Sequence, residues 1–326
     1  MSALSKFRKI FSNTKIDFMS IHNFALIFSI ICIIGSIALV CFKGLNLGID
    51  FAGGVLIEAR FNQKPEISKI RELLSSSIKD IQIQETKGQE TKGQETKGQE
   101  TTPNESEKQN GNYDILIRIS KTSDDQSSQI KKIQELLNQN YQNIEYRKVD
   151  FVGPQVGSEL IFKGSLALAL SFVFIMIYIW IRFDWQFGLG GIFALIHDTA
   201  LTLGFFAITG LEFNLTSIAS ILTIIGYSIN DSVVIYDRIR ENLILNQKMD
   251  LTQLINSSTN STLSRTILTS GTTLVSLLAL ILFGGDMLFS FSMATFFGIL
   301  VGTYSSIYIS APILLYFDPR QKKSKK

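Results

Sequence analysis

Charge is scarce in this chain. Asp, Glu, Lys and Arg make up only 18% of the 326 residues, and they concentrate outside long apolar runs. With a mean hydropathy of +0.23, this is the composition of a membrane protein. Cysteine is nearly absent: Cys32 and Cys41 lie nine positions apart in one apolar run, where a single helix holds them too far apart for a disulfide. Histidine occurs twice, in distant segments, which gives no metal-ligand signal. The glycine-rich stretch Gly188-Leu189-Gly190-Gly191 opens an apolar run and lacks the Lys and Ser/Thr of a phosphate-binding loop. The expectation is therefore a chain with no cofactor, no metal and no covalent chemistry of its own.

Six apolar runs are present, over residues 23–42, 161–181, 187–209, 213–236, 266–283 and 289–316. Each is long enough to cross about 30 Å of hydrocarbon at about 1.5 Å per helical residue. The last is overlong and is expected to tilt or to begin in the interface. The first follows Lys6, Arg8, Lys9 and Lys15 and ends at Lys43 without a small-residue cleavage pattern, so it reads as an uncleaved anchor.

Lys and Arg set the orientation. They occupy the N-terminus, Arg182 after span two, Arg238, Arg240, Lys248 and Arg265 around the span four to five connection, and a tail with Arg320, Lys322, Lys323, Lys325 and Lys326. The short opposite connections around Glu212 and Asp286 contain neither residue type. The positive-inside rule then places both termini in the cytoplasm. The resulting division is a cytoplasmic N-terminus over residues 1–20, a first span over 21–43 and a large outside domain over 44–160. A five-helix membrane region over 161–317 follows, with a cytoplasmic loop at 237–265, and then a basic tail over 318–326. Trp180 and Trp185 flank the turn between spans two and three and read as interfacial anchors.

The outside domain alternates strand and helix patterns: strand 54–60, helix 66–76, strand 80–84, strand 113–119, helix 127–137 and strand 144–149. This β-α-β-β-α-β order predicts a ferredoxin-like α+β domain whose helices cover one sheet face. The other face either meets another chain or is ordinary solvent-exposed surface. Between the second and third strands the unit Glu-Thr-Lys-Gly-Gln repeats at 85–89, 90–94 and 95–99. It contains nothing apolar, so residues 85–110 are expected to be a disordered expansion that the fold tolerates.

The membrane region carries polar groups that hydrocarbon does not tolerate cheaply. Asp231 interrupts span four, where an ionisable group costs roughly 2.5–3.5 kcal/mol on insertion scales. His197 and Asp198 fall near the middle of span three, and Arg265 stands at the matching end of span five. Two acids, an imidazole and a permanent cation on three consecutive spans suit a proton or ion relay in which Arg265 moves relative to Asp231. The alternative is a satisfied interhelical cluster that only fixes packing. Gly226, Ser228 and Asn230 on span four, with Thr269, Ser270 and Thr272 on span five, are small or polar residues expected to support the cluster by close packing and hydrogen bonding.

Several blocks carry a family resemblance. They are Leu47-Gly48-Ile49-Asp50-Phe51-Ala52-Gly53-Gly54, Phe151-Val152-Gly153-Pro154-Gln155-Val156-Gly157-Ser158-Glu159-Leu160, His197-Asp198, and the run from Gly226 through Asp231 to Asn242. Arg265-Thr266-Ile267-Leu268-Thr269-Ser270-Gly271 and Gly302-Thr303-Tyr304-Ser305-Ser306-Ile307-Tyr308 complete them. Together they resemble the SecF family of bacterial protein-export membrane proteins, within the resistance-nodulation-division transporter superfamily.

The resemblance implies a polytopic α-helical protein of the cell inner membrane with six transmembrane helices and a periplasmic domain between helices 1 and 2. It implies pairing with SecD and use of the proton-motive force to help draw preproteins through the SecYEG channel after SecA has pushed them in. YajC and YidC are further candidate partners. The family's proton-site carboxylate and arginine map onto Asp231 and Arg265. Two other readings stand beside this one: a noncatalytic scaffold of the translocase, or half of a proton-driven small-molecule exporter. The 85–99 repeat departs from the family's compact domain.

Overall fold

The computed structural model describes residues 14–75, 81–86, 113–120 and 126–320. Its described residues contain six helices long and apolar enough to cross a membrane. They are α1 (His22–Lys43), α4 (Pro154–Arg182), α5 (Trp185–Thr209), α6 (Leu215–Leu245), α7 (Leu251–Phe283) and α8 (Gly285–Ser305). After α8 the chain continues through a π-helical turn, Ser306–Ser310, to a last helical turn, Ile313–Tyr316. The overlong sixth apolar run is thus a broken helix, and Pro312 at the break has no N–H to offer the preceding turn.

Local sequence sets the ends of these helices. Pro154 opens α4, where its missing N–H would have been unsatisfied in any case. Gly210 closes α5 in the left-handed conformation at φ 68°, its N–H bonded to the Phe206 carbonyl. Asn214 caps α6 by accepting from the Ser217 N–H, while the Ser217 hydroxyl accepts from the Asn214 N–H. Asp250 caps α7 by accepting from the N–H groups of Thr252 and Gln253, and the Gln253 N–H in particular holds its carboxyl below the usual carboxylate range.

Two boundaries differ from the sequence reading. Residues 237–265 are not one loop: α6 runs on to Leu245 and α7 begins at Leu251, so only 246–250 lie outside helices. Hydropathy finds the part of a helix that hydrocarbon selects, and these extensions are polar. Likewise α4 starts at Pro154, seven residues before the apolar run at 161.

The chain divides into two compact units, one of residues 1–46, 164–284 and 288–326, the other of 47–163 and 285–287. In the first, α5, α6 and α8 hold the buried positions, whereas α1, α4 and α7 leave most of their apolar surface exposed.

The second unit is built on a four-stranded antiparallel sheet ordered β2-β3-β1-β4, from β1 (Gly54–Phe61), β2 (Ile81–Thr86), β3 (Tyr113–Ser120) and β4 (Glu145–Val152). With α2 (Ile67–Ser75) after β1 and α3 (Gln126–Asn140) after β3, this is the ferredoxin-like order that the pattern predicts. Alternate residues Val55, Ile57, Ala59 and Phe61 of β1 join Ile115, Ile117 and Ile119 of β3 in one core with Ile70 and Leu74 of α2 and Ile133 and Leu137 of α3. On the opposite face, the cross-strand partners Arg60 and Asp114 form a bidentate ion pair at 2.7 and 2.8 Å. That guanidinium holds the Asp114 carboxyl below its ordinary range.

Strand β2 extends to Thr86, because Glu85 and Thr86 pair with Ile115 and Asp114. The first two residues of the repeat therefore belong to the sheet, not to the expected disordered expansion; residues 87–110 of that expectation lie outside the described residues. Before β1, a helical turn at Ile49–Ala52 brings the Phe51 carbonyl against α4, where a Cβ at Gly157 would sit only 2.8 Å from that oxygen. Only glycine fits there, which gives a physical reason for two of the sequence blocks at once.

Candidate functional site

Two carboxylates are sunk into the membrane bundle, and their surroundings differ. Asp198 on α5 is fully buried. Its Oδ1 lies 2.9 Å from His197 Nδ1, and its Oδ2 accepts from the Ser228 hydroxyl on α6 at 2.5 Å and the Ser305 hydroxyl on α8 at 2.8 Å. Three neighbouring groups from three helices therefore satisfy one carboxylate. The packing that permits this depends on Gly302, where a Cβ would stand 3.2 Å from that of Ser228 and 3.6 Å from Asp198 Oδ2. His197 also packs on the Tyr304 ring at 5.9 Å. The Tyr304 hydroxyl donates to the Ala25 carbonyl on α1 at 3.0 Å, which extends the cluster to a fourth helix.

Asp231 lies one turn along α6 from Ser228 and is 3% exposed. Its only hydrogen bond among the described residues comes from the Ser270 hydroxyl of α7, at a long 3.5 Å. The same hydroxyl is 2.9 Å from Thr303 Oγ1 on α8. Arg265, five residues before Ser270 on α7, makes no hydrogen bond to Asp231 among the described residues. It is exposed and forms no ion pair among the described residues. A buried carboxylate ordinarily recruits several strong donors. Asp231 has one weak one, a position suited to a group that changes partner or protonation state.

The expected site residues thus separate. Ser228 serves Asp198, and Ser270 serves Asp231. Thr269 turns its hydroxyl back to its own helix and accepts the Tyr227 hydroxyl through its carbonyl at 2.6 Å. Gly226, Asn230 and Thr272 lie on the exposed side of α6 and α7; a Cβ at Gly226 would meet nothing within 4 Å. They do not contact either carboxylate among the described hydrogen bonds.

Thr303 and Ser305 carry contacts that sequence reasoning left without a role. Their block was visible, but nothing in it says which hydroxyl faces which acid. Ser232 and Thr266 each follow a candidate relay residue, Asp231 and Arg265, and are buried with hydroxyls that have no hydrogen-bond partner among the described residues.

Comparison with known proteins adds independent findings. The family model described as protein export membrane protein SecD/SecF, C-terminal, matches residues 132–320, and the SecD/SecF GG motif matches residues 38–65. The protein translocase subunit SecF of Rickettsia bellii is 50% identical over 304 residues, covering 92% of this chain and 93% of that one. The corresponding subunit of Rickettsia conorii is 48% identical over 312 residues, covering 95% and 94%. A crystal structure of SecDF from Thermus thermophilus, described as a translocon-associated membrane protein, superposes with a TM-score of 0.79 at 31% identity over 98% of this chain. A second SecDF crystal structure, in a super-membrane-facing form, gives 0.67 at 32% identity. In both cases the chain spans 40% of the solved protein's length.

Proposed function

The chain belongs to the SecD/SecF family of protein-export membrane proteins, and from that premise we propose that it is a SecF-like subunit coupling the proton-motive force to preprotein export through the SecYEG channel of the inner membrane. In this reading both termini are cytoplasmic and the ferredoxin-like domain is periplasmic, following the distribution of Lys and Arg. SecD is the partner in this reading, as the family resemblance implies, and the likeness to solved SecDF chains, of which this chain matches 40%, supports that pairing. SecA acts before it, and YajC and YidC are further candidate neighbours.

One observation carries the coupling role: Asp231 is buried with a single long hydrogen bond, while the nearby permanent cation Arg265 stands exposed and unpaired among the described residues. Approach of the guanidinium favours the carboxylate, and its withdrawal favours the protonated acid. A cycle of approach and withdrawal would then take up a proton and release it. The satisfied cluster around Asp198 supports a different task, fixing the packing of α5, α6 and α8.

The test compares two variants at native expression. Asp231→Asn should assemble with SecD normally yet lose proton-dependent stimulation of late export, while Asp198→Asn should chiefly lower assembly and stability. Normal export by the Asp231→Asn variant would exclude the coupling role and leave the noncatalytic scaffold. A half of a small-molecule exporter remains distinguishable by its partners, because SecD and channel subunits would not purify with it.

A further inference from the structure

At the turn joining α4 to α5, a hollow of about 280 Å³ is lined by Trp180, Ile181, Arg182, Phe183, Asp184, Trp185 and Arg240. It lies at the end of two membrane spans. Trp180 is 64% exposed and Trp185 41%, the placement of indoles in a membrane interface.

The charges are organised. Arg182 lies over the Phe183 ring at 4.9 Å and gives one guanidinium nitrogen to Asp237 at 3.0 Å. Arg240 donates to the Arg182 carbonyl at 3.3 Å and forms no ion pair among the described residues. Arg240 is exposed and lines the hollow. Asp184 lines the same space and Asp237 holds Arg182, so Arg240 is the guanidinium of the hollow left without an ion pair among the described residues.

From this we infer that the hollow binds the phosphodiester of a glycerophospholipid headgroup, with Arg240 as the principal ligand and Arg182 as its companion. A guanidinium fork matches two phosphate oxygens. A single guanidinium without an ion pair, beside two carboxylates, suits a phosphodiester monoanion better than a phosphate dianion. Exposed Phe174, Ile177 and Ile181 on α4 continue from the hollow along the span and offer the acyl chains an apolar surface. The inference does not depend on proton coupling, so Asp231→Asn should leave it intact.

Native mass spectrometry of the full chain, exchanged through detergent and then given phosphatidylglycerol, phosphatidylethanolamine or inorganic phosphate, tests it. Phosphatidylglycerol should be retained best, and Arg240→Gln should weaken its retention about fivefold. Asp237→Asn, which frees Arg182 without removing a positive charge, should keep or strengthen binding and controls for loss of fold. Equal phosphatidylglycerol retention by the parent chain and Arg240→Gln would overturn the inference. So would displacement of the lipid by equimolar inorganic phosphate, which would assign the hollow to a free anion.

Discussion

At the residue scale, burial alone does not distinguish Asp198 from Asp231; the donors around each do. Asp198 and Asp231 are comparably hidden, yet one has three close partners and the other a single long contact. A third buried acid, Asp114, has a cation beside it and tests the same logic outside the membrane. Its carboxyl is held low, chiefly by the hydrogen bonds from Arg60. The stability this contributes is complete above the unfolded carboxyl's value of about 3.9 and fades as pH falls through the lower folded value. Asp114→Asn should therefore weaken the domain by about 3 kcal/mol at neutral pH, through the unpaired Arg60, with the gap to the parent chain closing under acid. Hydrogen exchange of the β1 and β3 amides in the full chain measures both effects. Asp114 does not stand out in the sequence, whereas Asp198 and Asp231 were legible there as polar breaks in apolar runs. Their partners were not, since Ser305 meets Asp198 across 107 positions, and only the packed bundle makes that contact.

At the scale of elements, the apolar runs announced all six spanning helices, and the strand and helix patterns announced the β-α-β-β-α-β order of the second unit, because hydrocarbon and a one-faced core each impose a simple pattern. Polar helix was invisible to that reasoning. The extension of α7 before Arg265 is the example: Asn256 and Asn260, one turn apart, hold the main chain that precedes α1. The Ile16 N–H donates to Asn260 Oδ1 at 2.9 Å and the Ile16 carbonyl accepts from its Nδ2 at 2.7 Å, while the Phe18 N–H donates to Asn256 Oδ1 at 2.9 Å. Side-chain amides here do the work of a neighbouring strand, tying the entry of α1 to the helix that carries Arg265. Each such bond contributes about 1 kcal/mol net. The double variant Asn256→Ala with Asn260→Ala should release the segment and speed tryptic cleavage after Lys15, with membrane insertion unchanged. Unaltered cleavage would mean that the strap is held elsewhere.

At the scale of the whole molecule, the bundle is unfinished. Thr223, Gly226 and Asn230 form an exposed stripe at helical spacing on α6, and exposed Arg265 and Thr272 stand on α7. A small residue lets a second backbone approach closely, and an outward-facing amide or guanidinium within a membrane requires a partner other than lipid. Under the proposed function this stripe is where SecD helices would pack, which would give a role to the small and polar residues that do not touch either carboxylate. In a background of Cys32→Ala and Cys41→Ala, single cysteines at Thr223, Gly226 and Asn230 should crosslink to cysteines on the equivalent SecD helix. Those at the buried positions Ile221, Ile225 and Ser232 should not. The i, i+3, i+7 spacing of the positive set is the signature to look for, because nonspecific collision would label accessible thiols without helical period. If the three stripe positions stay uncrosslinked while SecD still copurifies, the partner docks on another face, and the exposed position of Arg265 needs a different explanation.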